Sequence, residues 1–188
     1  SVDHGVLMET VERVVRCPRT LALLRVILDS GREVLRSEFP DTLFPGDDLT
    51  ALCRPRGLPI GNLTSQFLGN VHLDPLDHFV KETLRVRGYV RYADDFRVFG
   101  DSKEELHRIR REMEGFLAGL RLVLHDRKTQ VAPCEAGVPF LGFVLFPDGR
   151  RRLRRAGVRR FRKRLRARSR AQAEGRTTQE AVSPSVRA

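Results

Sequence analysis

The stretch Gly88-Tyr-Val-Arg-Tyr-Ala-Asp-Asp-Phe-Arg-Val-Phe-Gly100 decides how this sequence folds. Its apolar and polar residues alternate on both sides of Ala93-Asp94-Asp95, which predicts an antiparallel hairpin with an acidic turn. Two adjacent carboxylates on a rigid hairpin suit a hard cation such as Mg²⁺, which takes oxygen ligands and often uses only one or two protein carboxylates. Taken alone, an Asp-Asp pair is more often just a favourable polar turn, so the surrounding sequence has to decide.

Helical patterns flank the hairpin on both sides. The spacing of apolar residues predicts four helices, at Asp3–Val15, Pro18–Ser30, Thr64–Leu84 and Ser102–Leu120. Pro18 lies in a first turn and Gly31 is a helix stop, whereas the third helix has to accommodate Pro75. Ser102 and Glu105 have the spacing of a capping box. We expect the first two helices to pack together.

The remaining segments are irregular or strand-like. Residues 32–57 lose all periodicity and are rich in Pro, Gly and Asp, which predicts a long connection of the kind that is usually functional. Strands are predicted at 122–125, 128–132 and 138–146, the last ending in the turn Pro147-Asp148-Gly149. The whole pattern indicates an α+β fold with an antiparallel sheet.

Most of the net positive charge lies in one block. The formal charge is +11, and 13 of the 35 Lys and Arg residues lie between Arg150 and Arg170, with no acidic residue among them. The rest of the chain carries 22 basic and 24 acidic residues. A helical pattern of Val158, Phe161 and Leu165 runs beneath the arginines. Such a block is what binding to a phosphate backbone requires, although a solvated arginine-rich helix is an equal alternative.

Composition excludes other classes of protein. No segment approaches the roughly 20 apolar residues of a membrane span, and the N-terminus lacks the layout of a secretory signal, so we expect a cytoplasmic protein without a membrane partner. Cys17, Cys53 and Cys134 have no metal-ligand spacing and are expected to be reduced core or boundary residues. The five histidines show no ligand spacing either and are expected to lie at the surface or boundary.

Three further segments give the acidic turn its context. Arg56–Gln66 is a glycine-containing loop leading into a helix, where backbone can approach a base or sugar closely. Leu124–Thr129 places a cation after a predicted strand, and Phe140–Phe143 follows. In this order and spacing, these segments and Tyr92-Ala93-Asp94-Asp95 resemble the reverse transcriptases.

From Gly57 to about Leu165 the chain resembles the palm and the start of the thumb of prokaryotic reverse transcriptases. The resemblance implies a polymerase palm, with an antiparallel sheet and flanking helices, plus the start of a helical thumb, and with the fingers absent. It implies that Asp94 is the principal metal ligand and Asp95 its neighbour at the second metal or primer end. Two Mg²⁺ ions are the implied cofactors, with Mn²⁺ as a candidate substitute. Lys128 matches the family's lysine near the nucleotide phosphates, a proton donor to pyrophosphate.

Other matched positions imply contacts with substrate. Nucleotide and template contacts are implied for Gly57, Pro59, Ile60, Gly61, Ser65, Gln66 and Tyr92. The primer grip is implied at Phe140, Leu141 and Gly142. The basic helix falls where the thumb tracks the template-primer, which implies backbone contacts by Arg154, Arg155, Arg159, Arg162, Lys163 and Arg166.

The sequence also departs from the family pattern. Most relatives have Gln-Gly followed by Ser-Pro, whereas Ile60-Gly61 and Ser65-Gln66 stand here, which resembles the enzymes of diversity-generating retroelements and bacterial defence systems. Ser1-Val-Asp-His resembles the tail of the first catalytic motif, whose metal-binding aspartate would stand ahead of Ser1. Asp3 matches the residue before the following helix and is expected to cap it. We therefore expect a fragment truncated on both sides and inactive as given.

Together these observations predict a partial palm over residues 1–147, a basic helix at the start of the thumb over 148–173 and a polar tail over 174–188. The predicted function is RNA-directed DNA polymerisation by two-metal nucleotidyl transfer, with an RNA template, a DNA primer and dNTPs as partners. An accessory protein of the retroelement is a further candidate partner. The alternatives are a nucleic-acid-binding module without catalysis, supported by the basic block, and a maturase of the group II intron type, against which the Ile60–Gln66 loop speaks mildly.

Overall fold

The chain folds into two compact units, Ser1–Val131 and Ala132–Ala188. A computed structural model describes residues 2–30, 42–59, 63–125 and 128–173. It contains helices and two small antiparallel sheets, which confirms the predicted α+β class. The predicted boundary between palm and thumb, after residue 147, stays a prediction.

The first unit consists of helices around one hairpin. In chain order its elements are α1 (His4–Val14), α2 (Pro18–Asp29), a 3-10 turn (Leu49–Cys53), α3 (Leu63–His78) with a following π turn (Phe79–Thr83), β1 (Gly88–Tyr92), β2 (Asp95–Phe99) and α4 (Lys103–Gly119). The four predicted helices are confirmed, and α3 does pass through Pro75. Gly31, the predicted stop of α2, lies outside the described residues. Ser102 caps α4 by accepting from the Glu105 amide at 3.1 Å, while the Glu105 carboxylate accepts from the Asp101 amide, one residue before the expected partner.

Two apolar clusters hold the first unit together. The first joins α1, α2 and the start of α3 and contains Leu7, Met8, Val11, Leu28 and Leu68. This shared cluster confirms that α1 and α2 pack together. The second joins the end of α3, the π turn and α4, with Leu76 and Val80 fully buried and the rings of Phe79 and Phe116 stacked at 4.3 Å. Each fully buried apolar side chain stabilises the unit by roughly 1.5–3 kcal/mol.

The hairpin packs one of its faces on the second cluster. In the antiparallel register Tyr89 lies opposite Val98, and Arg91 lies opposite Phe96. Tyr89, Phe96 and Val98 contact the cluster, so this is the inner face. Because side chains alternate along a strand, Tyr92 and Asp95 lie on the opposite, outer face. The acidic turn is therefore attached to an anchored hairpin.

Two of the predicted strands are wrong. Residues 122–125 and 128–132 have irregular backbone. Leu122 and Leu124 show an alternating pattern because both pack against the second cluster beside α4. Alternate burial against helices produces the same sequence pattern as a strand, and here it misled the prediction.

The second unit contains a small meander and the basic helix. Its elements are a 3-10 turn (Cys134–Ala136), β3 (Val138–Phe140), β4 (Phe143–Leu145), β5 (Arg151–Leu153) and α5 (Arg155–Ala173). The strands pair antiparallel in the order β3-β4-β5. The single strand predicted at 138–146 is wrong, because Leu141-Gly142 turn it back on itself. The turn at Pro147-Asp148-Gly149 and the basic helix are confirmed, although Phe161 and Leu165 of the helix are exposed.

The expected burial of cysteines and histidines needs correction. The three cysteines are free but exposed, so they are neither core nor boundary residues. His4 and His72 are buried, and the cost of burying each imidazole is offset by a bond from its Nε2 to a carbonyl far away in sequence, that of Gly57 at 2.7 Å and that of Leu120 at 3.1 Å. No helix within the described ranges is both long and apolar enough to cross a membrane.

Candidate active site

The acidic turn is a two-residue hairpin loop. Tyr92 pairs with Asp95 as the last rung of the ladder, so Ala93 and Asp94 form the loop itself. Ala93 has a φ of 52°, a left-handed conformation that is uncommon for a residue with a Cβ. Such backbone costs of the order of 1–3 kcal/mol and persists only where its surroundings enforce it, which is often at a functional site.

The carboxylates of the turn face solvent. Asp94 is exposed, and the side chain of Asp95 is 54% exposed, with Oδ1 lying 3.5 Å from Nη1 of Arg97. Two adjacent, accessible oxygen donors are the chemistry that Mg²⁺ prefers, so the residues present fit the implied metal. In the part of the chain that the structure describes, no three His, Cys, Asp or Glu side chains form a group able to hold a metal ion.

Asp3 has a structural role, as predicted. Its Oδ1 accepts from the amides of Gly5 at 2.9 Å and Val6 at 3.2 Å, which caps α1. Its Oδ2 lies 2.9 Å from Nε of Arg54. The carboxylate is buried and both its oxygens are engaged, so the capping prediction is confirmed and Asp3 does not replace a catalytic carboxylate.

A polar cavity of about 340 Å³ opens beside the turn. Its lining residues are Gln66, Asn70, Asp77, Lys81, Tyr89, Arg91, Tyr92 and Ala93. The cavity brings together Gln66, from the first turns of α3, and Tyr92, from the end of β1. Both were predicted to contact nucleotide or template, and their convergence on the acidic turn is consistent with that role.

The loop before α3 is held by hydrogen bonds. Gly57 is buried with a φ of 102°, its N–H donates to the Val2 carbonyl at 2.7 Å, and its carbonyl accepts from His4. Only glycine adopts this conformation without strain, so Gly57 has a clear structural role. The Ser65 hydroxyl donates to the Pro59 carbonyl. Ile60 and Gly61 lie outside the described residues, and the predicted substrate contacts of this loop stay predictions.

One ionic network behind the turn was not predicted from the sequence. Asp77 of α3 accepts hydrogen bonds from the Tyr89 hydroxyl at 2.8 Å and from Nε of Arg91 at 2.8 Å. Burial opposes ionisation of Asp77, but the bonds from Arg91 and Tyr89 outweigh it and hold the pKa of this carboxyl below its usual range. Burial, together with the bond to Asp77, raises the pKa of Tyr89. An arginine inside an apolar-alternating strand was the only sequence signal for this network.

The structure describes the local geometry of the other predicted contact residues. Lys128 is exposed, and its amide donates to the His125 carbonyl at 2.9 Å. In the second unit the predicted primer grip is a tight turn, with φ of 47° at Leu141 and 84° at Gly142. The Gly142 carbonyl accepts from the Arg154 amide at 2.9 Å, which ties this turn to the start of α5. Their roles towards substrate stay predictions.

The basic helix presents its cations to solvent. All six predicted backbone-binding residues, Arg154, Arg155, Arg159, Arg162, Lys163 and Arg166, are exposed. Within α5, Arg155, Arg159, Arg162 and Arg166 follow helical spacing and form one stripe along the helix. An exposed arginine stripe suits a regularly spaced row of phosphates, because each guanidinium can donate two hydrogen bonds to one group.

Comparison with known proteins identifies the family. No curated protein matches the chain. The family model described as reverse transcriptase (RNA-dependent DNA polymerase) matches residues 7–145, well over half of the chain. The match extends from α1 to β4 and includes the acidic turn and the cavity beside it. This chain therefore belongs to the reverse transcriptase family.

Proposed function

We propose that this chain supplies the catalytic turn of an RNA-directed DNA polymerase. The reaction is transfer of the nucleotidyl group of a dNTP to a primer 3′-hydroxyl on an RNA template, with release of pyrophosphate, by two-metal catalysis. The observation that carries the proposal is the Tyr92–Asp95 hairpin, which presents two adjacent accessible carboxylates beside a polar cavity within a chain of this family. Family members generally use divalent metal ions and bind template, primer and dNTPs.

The roles of the residues follow from their chemistry. Asp94 and Asp95 supply two of the carboxylates that would hold Mg²⁺. When bound, the metal pair activates the 3′-hydroxyl and stabilises charge on the leaving pyrophosphate. Gln66 and Tyr92 position nucleotide and template at the cavity, and Lys128 donates a proton to pyrophosphate.

The second unit binds the template-primer in this proposal. The Phe140–Gly142 turn holds the primer end, and the arginine stripe of α5 follows the phosphate backbone. Arginine is suited to this task because its planar fork stays charged and matches phosphate geometry. Such contacts position the duplex and carry no sequence information themselves.

The loop sequence suggests a subgroup. Ile60-Gly61 and Ser65-Gln66 replace the more usual residues of the family, as in the enzymes of diversity-generating retroelements and bacterial defence systems. An accessory protein of such an element is a proposed partner. Copying of a defined RNA of its own element, in preference to other templates, would support this subgroup.

Replacement of Asp94 tests the proposal directly. In the full-length protein, we expect Asp94→Asn to reduce primer extension on an RNA template at least about a hundredfold, because metal catalysis supplies several kcal/mol of stabilisation. The matched control is Asp101→Asn, an exposed aspartate beyond the other end of β2, which should leave the rate within about twofold. Undiminished extension by Asp94→Asn would overturn the assignment.

A nucleic-acid-binding module without catalysis is the second candidate, favoured by the exposed arginine stripe of α5. It predicts that the unsubstituted protein binds template-primer in a salt-sensitive manner, independently of Mg²⁺ and of Asp94, but does not extend the primer. The same primer-extension assay, run beside a binding assay, separates the two candidates.

A further inference from the structure

The inner face of β1 carries a charged side chain directly behind the catalytic turn. Arg91 and Tyr92 are neighbours, so strand alternation sends them to opposite faces, Tyr92 outward and Arg91 inward. The Arg91 side chain is only 11% exposed. A buried arginine requires partners for its five donor hydrogens, and those partners show what it holds in place.

The partners of Arg91 are on α3 and in the turn itself. Its Nε and Nη2 donate to the two carboxylate oxygens of Asp77, a forked pairing that fixes the plane of the guanidinium. Its Nη1 donates to Oδ1 of Asn70 at 2.8 Å and to the carbonyl oxygen of Ala93 at 3.0 Å. Asn70 and Asp77 are seven residues apart on α3 and therefore share one face of that helix. Arg91 thus connects a rigid helix face to the tip of the hairpin.

The bond to Ala93 acts on the part of the backbone that orients the catalytic carboxylate. The Ala93 carbonyl belongs to the peptide unit that joins Ala93 to Asp94. A hydrogen bond to this oxygen fixes the rotation of that peptide plane, and with it the direction in which the Asp94 side chain leaves the backbone. Ala93 itself has left-handed backbone, which relaxes unless its surroundings hold it.

We propose that Arg91 is a positioning residue for the polymerase reaction, which holds the Ala93–Asp94 peptide in its catalytic orientation from an anchor formed by Asp77 and Asn70. This inference rests on the proposed function. Arg91, Asn70 and Asp77 also line the cavity beside the turn, and in this scheme Arg91 acts on the reaction through Asp94. A misplacement of about 1 Å at the reacting groups can lower the rate about a hundredfold. Loss of the Arg91 contacts that orient Asp94 should therefore have a measurable effect on the rate.

The test is a kinetic comparison of variants of the full-length protein. Arg91→Lys keeps the positive charge beside Asp77 but loses the fork, since an ammonium cannot reach the carboxylate, the amide and the carbonyl at once. We expect kcat for dNTP incorporation to fall by about tenfold to a hundredfold, with KM for template-primer within about twofold. We also expect the Mg²⁺ concentration for half-maximal rate to rise, because misdirected carboxylates bind the cation less well. A role confined to fold stability would lower the amount of active enzyme and leave both KM and the Mg²⁺ requirement unchanged.

Two further variants distinguish a loss of positioning from a folding defect. Asp77→Asn leaves Arg91 in place but weakens its anchor, so we expect a smaller fall in kcat and a smaller rise in the Mg²⁺ requirement. The double variant with Arg91→Lys and Asp77→Asn should have a kcat no lower than that of Arg91→Lys alone. Arg108→Lys is the matched control, because Arg108 pairs with Glu112 on the exposed face of α4 and its replacement should change nothing. All rates are taken per active site, from single-turnover measurements.

The outcomes separate this inference from the proposed function. If Asp94→Asn abolishes extension while both Arg91→Lys and Asp77→Asn keep kcat and the Mg²⁺ requirement of the unsubstituted protein, the inference is overturned and the polymerase assignment stands. If Asp94→Asn extends primers normally, the proposed function fails and the inference fails with it. A lowered kcat with a raised Mg²⁺ requirement in Arg91→Lys supports both.

Discussion

At the scale of single residues, polar side chains that sequence reasoning missed, among them His72 and Arg91, act through long-range hydrogen bonds. His72 of α3 is fully buried, and its Nε2 donates to the Leu120 carbonyl just after α4. Arg91 reaches back 14 residues to Asp77. Neither partner can be found from local periodicity, because the pairing depends on how two elements pack. The exposed pair Asp94 and Asp95 needs no such packing, so its place in a hairpin turn was predictable from the local pattern, and its candidate catalytic role from the neighbouring motifs.

Burial gives His72 a pH-dependent effect on stability. Loss of solvent lowers the pKa of this imidazole, and the bond to the Leu120 carbonyl offsets this only in part. In the unfolded chain the imidazole of His72 has an ordinary pKa of about 6.5, so it takes up a proton at a higher pH than the buried imidazole of the folded chain does. The stability that the protein gains from burying a neutral His72 is therefore fully present above about pH 6.5, and it falls as the pH drops towards the folded-state pKa.

We predict that the free energy of unfolding falls by up to about 1.4 kcal/mol per pH unit below about pH 6.5 on account of His72. His72→Gln retains a donor for the Leu120 carbonyl but cannot titrate, so it should flatten the dependence between pH 7.5 and 5.5. Denaturant unfolding at several pH values measures the effect. His107→Gln, an exposed histidine of α4, should keep the full dependence; if His72→Gln keeps it too, another group is responsible.

At the scale of elements, helices and strands were predicted best where the spacing of apolar residues extended over a long, continuous segment. The helices α1, α3 and α4 have several turns of apolar spacing, and the β1–β2 hairpin has a strand pattern on both sides of one turn, although Arg91 lies on its inner face. The predicted strands at 122–125 and 128–132 were too short to distinguish from chain that packs alternate residues on a helix. Leu141-Gly142 shows the same limit, since a two-residue reversal inside an apolar run leaves little trace in a pattern of period two.

The arginine stripe of α5 allows a prediction that does not require catalysis. If Arg159, Arg162 and Arg166 neutralise phosphates, replacement of all three by Gln should reduce the slope of log affinity against log salt by roughly 0.9 for each phosphate that is no longer neutralised. Binding of a template-primer duplex, measured at a series of salt concentrations, gives the slope. Arg108→Gln with Arg111→Gln removes two exposed charges from α4 and should leave the slope nearly unchanged. Equal changes in both variants would indicate general charge attraction in place of a defined stripe.

At the scale of the whole molecule, ion pairs as well as apolar clusters join segments of the first unit that are distant in sequence. Asp3 lies at the start of α1, Asp47 and Arg54 lie in the long connection, and Arg121 follows α4. Arg54 lies within 2.9 Å of Asp3 and 3.2 Å of Asp47, and Arg121 pairs with Asp47 and lies 3.7 Å from Asp3. A hydrogen bond from the Phe44 amide and an ion pair with Arg121 lower the pKa of Asp47, although burial of the carboxyl raises it. Two cations thus share two buried carboxylates across three chain segments that the sequence alone could not bring together.

The network and the cap of α1 meet at Asp3, and two substitutions separate their contributions. Asp3→Asn keeps a side-chain oxygen for the Gly5 and Val6 amides, since Asn is as good an N-cap as Asp, but it removes the charge beside Arg54 and Arg121. We expect a loss of up to about 3 kcal/mol in the free energy of unfolding, because two partly buried cations then share one carboxylate. Asp3→Ala should cost about 1 kcal/mol more, the usual contribution of a cap, and Ser102→Ala at α4 provides the reference for a cap without ions. If Asp3→Asn unfolds at the same denaturant concentration as the unsubstituted protein, Asp3 acts as a cap alone and the three segments are joined by Asp47 and the apolar clusters.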